Sequence, residues 1–257
     1  MLGALAGDII GSRFEAHNIK TTEFALFHAD CRFTDDTVLT VALADSILYG
    51  TDFVDKLKQY YTNYPTAGYG PRFLQWASSS SRDPYNSFGN GAAMRVSPVG
   101  FAYDSLAEVL AKAQASAAVT HNHIEGIKGA QATAAAVFLA RTGKSKPDIA
   151  QFITSEFQYA LDQPLDAIRE TYQFDASCQG SVPQAITAFL ESDDFEDAIR
   201  KAVSIGGDSD TIACIAGAIA HAFYREIPDR IVDEVYRILD SPLRQITTLF
   251  TNKYACL

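Results

Sequence analysis

No apolar run in this chain approaches the roughly 20 residues needed to cross a bilayer, which excludes an ordinary membrane-spanning helix. The opening Met-Leu-Gly-Ala-Leu-Ala-Gly-Asp carries no basic segment, and Asp8 interrupts it before an apolar stretch can develop, so a secretory leader is not expected. Cysteine is scarce: Cys31, Cys178, Cys214 and Cys256 show no CxxC spacing, and Cys214 falls within an apolar helical pattern where a buried free thiol is expected. A reducing compartment and a soluble, cytoplasmic protein without membrane partners follow as expectations. Positive charge is in short supply too. Lys and Arg number 21 against 31 Asp and Glu, the net charge is -10, and no basic stripe is visible, which argues against phosphate-backbone binding as the main activity. Strict alternation over a strand length is almost absent, and neither a composition shift nor a flexible linker divides the chain.

What remains is helical. Val38-Leu39, Val41-Ala42, Ser46 and Leu48-Tyr49 recur at three- to four-residue spacing. The same holds for Leu106, Val109-Leu110 and Ala113, for Ile127, Ala130, Ala134 and Val137-Phe138, and for Ile212, Ile215-Ala216, Ile219 and Phe223. Pro147, Pro164, Pro183, Pro228 and Pro242 each precede an amphipathic pattern and read as helix starts. Two stretches free of charge and dominated by small residues, Gly129 to Ala136 and Ala213 to Ala222, suit helices that approach closely at the centre of a bundle. Residues 63–98 read as loop-rich, although too aromatic for a linker. With 47% hydrophobic residues the chain can bury a substantial core, and the expectation is one all-α domain over residues 1–257.

Two short acidic clusters carry the chemistry: Thr34-Asp35-Asp36-Thr37, and Gly206-Gly207-Asp208-Ser209-Asp210-Thr211. Each packs like charges beside apolar sequence, which is costly unless a cation neutralises them. Carboxylates and hydroxyls with no Cys among them suit Mg²⁺, Mn²⁺ or Ca²⁺ rather than zinc or copper. Thr34 followed by two acids also fits an ordinary helix N-terminus, in which Thr caps the free N–H groups and the acids meet the positive end of the dipole. The double glycine makes the second cluster harder to explain that way, because it permits a tight positive-φ approach. An EF-hand is ruled out: its further acids would have to occupy the positions of Ile212 and Ile219.

The segment Ser87-Phe88-Gly89-Asn90-Gly91-Ala92-Ala93-Met94-Arg95 places two glycines around an asparagine at an expected helix start, an arrangement that exposes backbone N–H groups to an anion or simply makes a turn. It is not a dinucleotide fingerprint, since the third glycine and the preceding strand are missing. Thr120-His121-Asn122-His123 sits between two helical patterns; such histidines can bind metal, although capping and core hydrogen bonding are the commoner fates.

Taken together, the motifs resemble the ADP-ribosylglycohydrolase family, which includes dinitrogenase-reductase-activating glycohydrolases. The resemblance rests on Gly3-Ala4-Leu5-Ala6-Gly7-Asp8 with Gly11 and Glu15, and on Phe33-Thr34-Asp35-Asp36-Thr37. It continues through Gly89 to Arg95, Thr120-His121, Ser181-Val182-Pro183-Gln184-Ala185 with Phe189, and Ser204 to Thr211, in that order over nearly the whole chain. Ser209 stands where Thr is frequent in the family, and Asn122 where Pro is frequent.

The resemblance implies an all-α fold with a dinuclear Mg²⁺ or Mn²⁺ centre at the base of a cleft for ADP-ribose. By motif position the metal ligands are Thr34, Asp35, Asp36, Asp208, Asp210 and Thr211, and Glu15 is the acid nearest the scissile bond. Glu15, Asp36 and Asp208 are the candidate catalytic groups, while Phe88, Gly89, Asn90, Gly91, Met94, His121 and His123 are the candidate substrate-binding residues. The expected partner is an ADP-ribosylated protein or a small-molecule ADP-ribose conjugate, with nucleic-acid-linked ADP-ribose left open. Hydrolysis of a ribosyl bond needs an activated water and an acid or base at the leaving group, and two divalent ions would neutralise four aspartates so that a diphosphate can approach. A non-catalytic ADP-ribose binder, or a protein that blocks a transferase, is the alternative. Glu15 falls in Ser12 to Asn18, which lacks apolar periodicity and reads as a loop.

Overall fold

The computed structural model describes residues 1–254, and Cys256 lies outside them. Fifteen helices occur among the described residues. The first is α1 (Leu2–Gly11), followed by α2 (Asp35–Tyr49), α3 (Phe53–Asn63), α4 (Pro71–Ser78), α5 (Gly91–Arg95), α6 (Ser97–Ala102), α7 (Leu106–Ala118) and α8 (Ile124–Arg141). The second half contributes α9 (Lys146–Phe157), α10 (Leu165–Thr171), α11 (Cys178–Leu190), α12 (Phe195–Ser204), α13 (Ser209–Tyr224), α14 (Asp229–Ile238) and α15 (Ser241–Lys253). The described residues contain no β-strand, and one isolated antiparallel bridge joins Gly89 to Ser177. The all-α expectation holds.

At the centre, α13 is buried from Ser209 to Ala222 and α1 is buried along its whole length. Alanines and glycines make this possible, because they let backbones meet without side chains between them. Along α1, Gly3, Gly7 and Gly11 form a stripe at four-residue spacing laid directly on α13. A Cβ added at Gly7 would lie 2.0 Å from the Ala213 carbonyl oxygen, and one added at Gly11 would lie 2.6 Å from the Asp210 Cα. The small-residue stretch of α8 packs against the same helix, and α11 and α12 close around it. On the other side of α1, α2 docks and carries α3, α5, α6 and α15.

Two local expectations change. Pro183 lies inside α11 and does not start it: the helix begins earlier, at Cys178, where the Ser177 hydroxyl accepts the Gly180 N–H at 3.1 Å. The cap settles the start, and the proline costs one backbone bond in the second turn. The stretch read as loop-rich over residues 63–98 holds α4, α5 and the start of α6. Its aromatic residues explain the order, since Phe73 and Trp76 are buried in a series of ring contacts that runs from Tyr61 through Tyr69, Phe73, Trp76 and Tyr85 to His121. Cys31, Cys178 and Cys214 are buried free thiols.

Candidate active site

The loops and helix ends that carry the sequence motifs converge on one cavity of about 490 Å³. Its floor is acidic. Thr34 is the N-cap of α2, with its hydroxyl oxygen accepting the Asp36 N–H at 3.2 Å, so the ordinary helix-start geometry is present. That cap is itself held by Asp8 of α1. One Asp8 oxygen accepts the Thr34 hydroxyl proton at 2.7 Å, and the other accepts the backbone N–H groups of Thr34 and Thr37 at 2.9 and 3.0 Å. With its proton committed to Asp8, the Thr34 hydroxyl retains only acceptor capacity for anything in the cavity.

The second acidic cluster is delivered by a turn that only glycine adopts readily: Gly206 and Gly207 have φ of +74° and +69°. Asp208 stands at the N-cap position of α13 without a side-chain capping bond and receives the Asn90 amide at 2.7 Å, while the Thr211 hydroxyl donates to Asp36 at 3.3 Å and so links the clusters. Glu15 comes from the α1–α2 connection, which has no helix or strand at Ser12 to Asn18, as expected. That connection is pinned to the glycine turn. The Asn18 amide donates to the Phe14, Glu15 and Gly207 carbonyls and accepts the Gly207 N–H, and the Lys20 ammonium donates to the Ile205 carbonyl. One carboxylate oxygen from each of Glu15, Asp208 and Asp210 then falls within 4.8 Å of the others.

Protonation reflects this crowding. Burial, followed by the Asp8 charge, pushes the Asp35 carboxyl up to about 8. Asp36 and Asp210 are driven well above the usual carboxylate range, again first by burial and then by neighbouring acids. Glu15 is raised by partial burial and by Asp208. The Asp36 Oδ1 atom is buried with no hydrogen-bond partner. An unpartnered carboxylate oxygen among acids that repel one another is the environment a hard divalent cation relieves, and the donor set of carboxylates and hydroxyls fits Mg²⁺ or Mn²⁺.

The same cavity is lined by Gly89, Asn90, Gly91, Met94 and His121. Phe88 and His123 are not in its lining. They pack ring to ring at 5.5 Å, with Phe88 half exposed, and His123 caps α8 by accepting the Glu125 N–H. Within the glycine segment the Gly89 N–H is bonded to the Ser87 hydroxyl and the Asn90 N–H to the Ala176 carbonyl, which leaves the Gly91 N–H as the group available there. Sequence reasoning assigned no part to Asp8, Arg72, Tyr85, Arg95 or Phe174, the last four of which line the cavity. For Asp8 a signal existed: it is the one charge in an otherwise apolar helix, and such a charge needs partners.

The site of this all-α chain is thus one cavity at which both acid clusters and the glycine segment meet. The ADP-ribosylglycohydrolase family model matches residues 1–255, and the chain belongs to that family. It is 30% identical to the human ADP-ribosylhydrolase ARH3, over 87% of this chain and 84% of the relative. With the ADP-ribosylarginine hydrolase Tri1 of Pseudomonas putida (strain GB-1) it shares 24% identity over 87% of this chain and 69% of the relative. A solved structure described as an ADP-ribosylglycohydrolase-related protein complex shares the fold, with a TM-score of 0.76 and 23% identity over 99% of this chain and 96% of that one. Among the described residues no helix is long and apolar enough to cross a membrane.

Proposed function

We propose that this protein, working as a single domain over residues 1–257, is a divalent-metal-dependent hydrolase that cleaves the glycosidic bond between ADP-ribose and an acceptor. The acceptor is a protein side chain or a similar conjugate, and the protein acts in the cytoplasm. Thr34, Asp35, Asp36, Asp208, Asp210 and Thr211 would hold two ions, Mg²⁺ or Mn²⁺. The observation that carries the reading is the meeting of the Glu15, Asp208 and Asp210 carboxylates within 4.8 Å, beside the unpartnered Asp36 oxygen, at the floor of a cavity lined by the Gly89 to Gly91 segment.

When bound, the ions supply Lewis acidity toward ribose hydroxyls and a water of lowered pKa. The chain's own groups do the rest. Asp36 and Asp208 anchor the two clusters to α2 and α13, so that the sugar meets a fixed set of oxygens. Glu15, whose carboxyl is raised by burial and Asp208, is placed to exchange a proton with the attacking water or the leaving group. The Asn90 amide, bonded to Asp208 and Ser181, ties the substrate-side loop to the metal-side turn. His121 and the Gly91 N–H supply polar contacts for the diphosphate, and Met94 contributes apolar surface to the wall.

The deciding assay follows release of ADP-ribose from arginine-, serine- and nucleic-acid-linked substrates after chelation, with Mg²⁺ or Mn²⁺ added back. Release from at least one linkage that appears only with added ion is expected. Equal release in chelator would remove the metal from the mechanism, and no release from any linkage would return the protein to ADP-ribose binding without turnover.

A further inference from the structure

His121 lies on the cavity wall, only 5% exposed, and its Nδ1 sits 2.7 Å from the Thr120 hydroxyl. The same hydroxyl receives an N–H from Arg95 at 2.7 Å, and Arg95, which is 1% exposed, also donates to the Ser116 carbonyl at 3.2 Å. A buried arginine in contact with no carboxylate is costly, which raises the question of what it does there. We propose that Arg95, acting through Thr120, is a positioning residue that locks His121 as the neutral Nε2–H tautomer, so that the imidazole presents a fixed proton donor to the ligand cavity.

The direction of each hydrogen bond follows from donor chemistry. Guanidinium has no acceptor, so the Thr120 oxygen must accept from Arg95. Thr120 is fully buried, and a hydrogen on Nδ1 would point at the Thr120 oxygen and leave the hydroxyl proton without its 2.7 Å acceptor, so that proton goes to Nδ1. Electrostatics points the same way: a hydroxyl polarised by a cation behind it is a better donor, whereas an Nδ1–H aimed toward Arg95 would set like partial charges facing each other. Nδ1 is therefore the acceptor and Nε2 carries the hydrogen.

The Nε2 atom is the one turned toward the glycine segment, where a Cβ added at Gly91 would stand 3.2 Å from it. Burial, reinforced by Arg95 and Arg72, holds the ring well below its ordinary titration range, so it stays neutral. Donation to a diphosphate then needs neither protonation nor tautomer exchange. That last consequence rests on the ADP-ribose reading above; the lock itself does not.

The test separates the two. In ligand-free protein labelled with ¹⁵N-histidine, long-range ¹H–¹⁵N spectra report the tautomer of each of the five histidines, and His121→Gln identifies the relevant signal. The proposal expects an Nε2–H pattern for His121, loss of the single tautomer in Thr120→Val, and its return in Thr120→Ser. Arg95→Met is read alongside, with Thr120→Val holding the test where removal of the buried arginine prevents folding. Calorimetric titration should show ADP-ribose binding weakened about tenfold in Thr120→Val, the loss expected for one misaligned hydrogen bond to a charged ligand, and parental in Thr120→Ser. An Nδ1–H pattern in the parent overturns the lock, as does a Thr120→Val variant with unchanged tautomer and affinity. If the parent binds no ADP-ribose, the functional reading falls and the spectra alone decide the lock.

Discussion

Truncating Asp8 removes the one group that ties α1 to the start of α2. In Asp8→Ala the Thr34 hydroxyl and the Thr34 and Thr37 N–H groups lose their acceptor at once, and Asp8 is fully buried, so water cannot simply replace it. Each orphaned buried donor costs about 1–3 kcal/mol, which gives a ceiling near 9 and, with partial relaxation, an expected loss of about 4 kcal/mol. For a chain of this size that corresponds to a fall in melting temperature of roughly 8–16 °C. Asp8→Asn separates architecture from chemistry. The amide oxygen can accept both N–H groups, while the amide nitrogen donates to the Thr34 oxygen, so most of the stability should return. The Thr34 proton, displaced from its acceptor, must then turn elsewhere and compete with a cation for the same oxygen, so Mn²⁺ affinity should stay weakened. Circular dichroism melts and calorimetric Mn²⁺ titrations of the three proteins provide the readout. A melt of Asp8→Ala within about 2 °C of the parent would refute the reasoning, because three bonds of this kind cannot then be organising α2.

The raised carboxyl of Asp35, at about 8, and those of Asp36 and Asp210 above their usual range mean that the metal-free folded chain holds more protons than the unfolded one. The Asp35 contribution is present below about pH 4 and is lost as pH rises through about 8, and those of Asp36 and Asp210 are lost in the same direction. A bound cation restores it, so the rise in melting temperature produced by Mg²⁺ or Mn²⁺ should grow between about pH 5 and about pH 8; a constant or shrinking increment contradicts this. Glu15→Gln should lose on the order of a hundredfold in turnover while still binding ADP-ribose, and near-parental turnover would move the acid–base role to another group. In Gly91→Val the new Cβ stands 3.2 Å from His121 Nε2 before its methyls are counted, so the dissociation constant for ADP-ribose should rise with Mn²⁺ affinity unchanged. Equal ADP-ribose affinity by calorimetry would make the segment a simple turn.

The helical class was legible because α8 and α13 announce themselves through small residues and period-3.6 spacing, signals that depend only on local chain geometry. The acid clusters were legible for a different reason, since unpaired like charges beside apolar sequence demand an explanation. What could not be read were the long-range partners. Nothing near Asp8 in the chain says that its acceptors serve Thr34 and Thr37, and nothing near Asn18 announces its reciprocal bonds with Gly207. Phe88 lies between two lining residues and His123 two positions after another, yet they pack on each other outside the cavity lining, His123 being held there as the cap of α8. The Pro183 expectation failed where a serine cap five residues upstream of Val182 took precedence over a proline signal.

The glycine stripe of α1 has a consequence for how this family member can vary. The two acidic clusters sit on different helices, and the helix between them bears neither; Asp8 at one face of α1 fixes α2, and Gly11 at another rests on the backbone of Asp210. The separation of the clusters is thus measured out by main chain against main chain on the α13 side and by one buried carboxylate on the α2 side, a gauge with little room for adjustment. Repacking of the outer helices can accumulate without resetting that gauge, whereas one added methyl at Gly7 or Gly11 moves both halves of the site apart together. Divergence in such a scaffold is channelled to the rim, where acceptor preference can drift while the spacing at the floor stays the same.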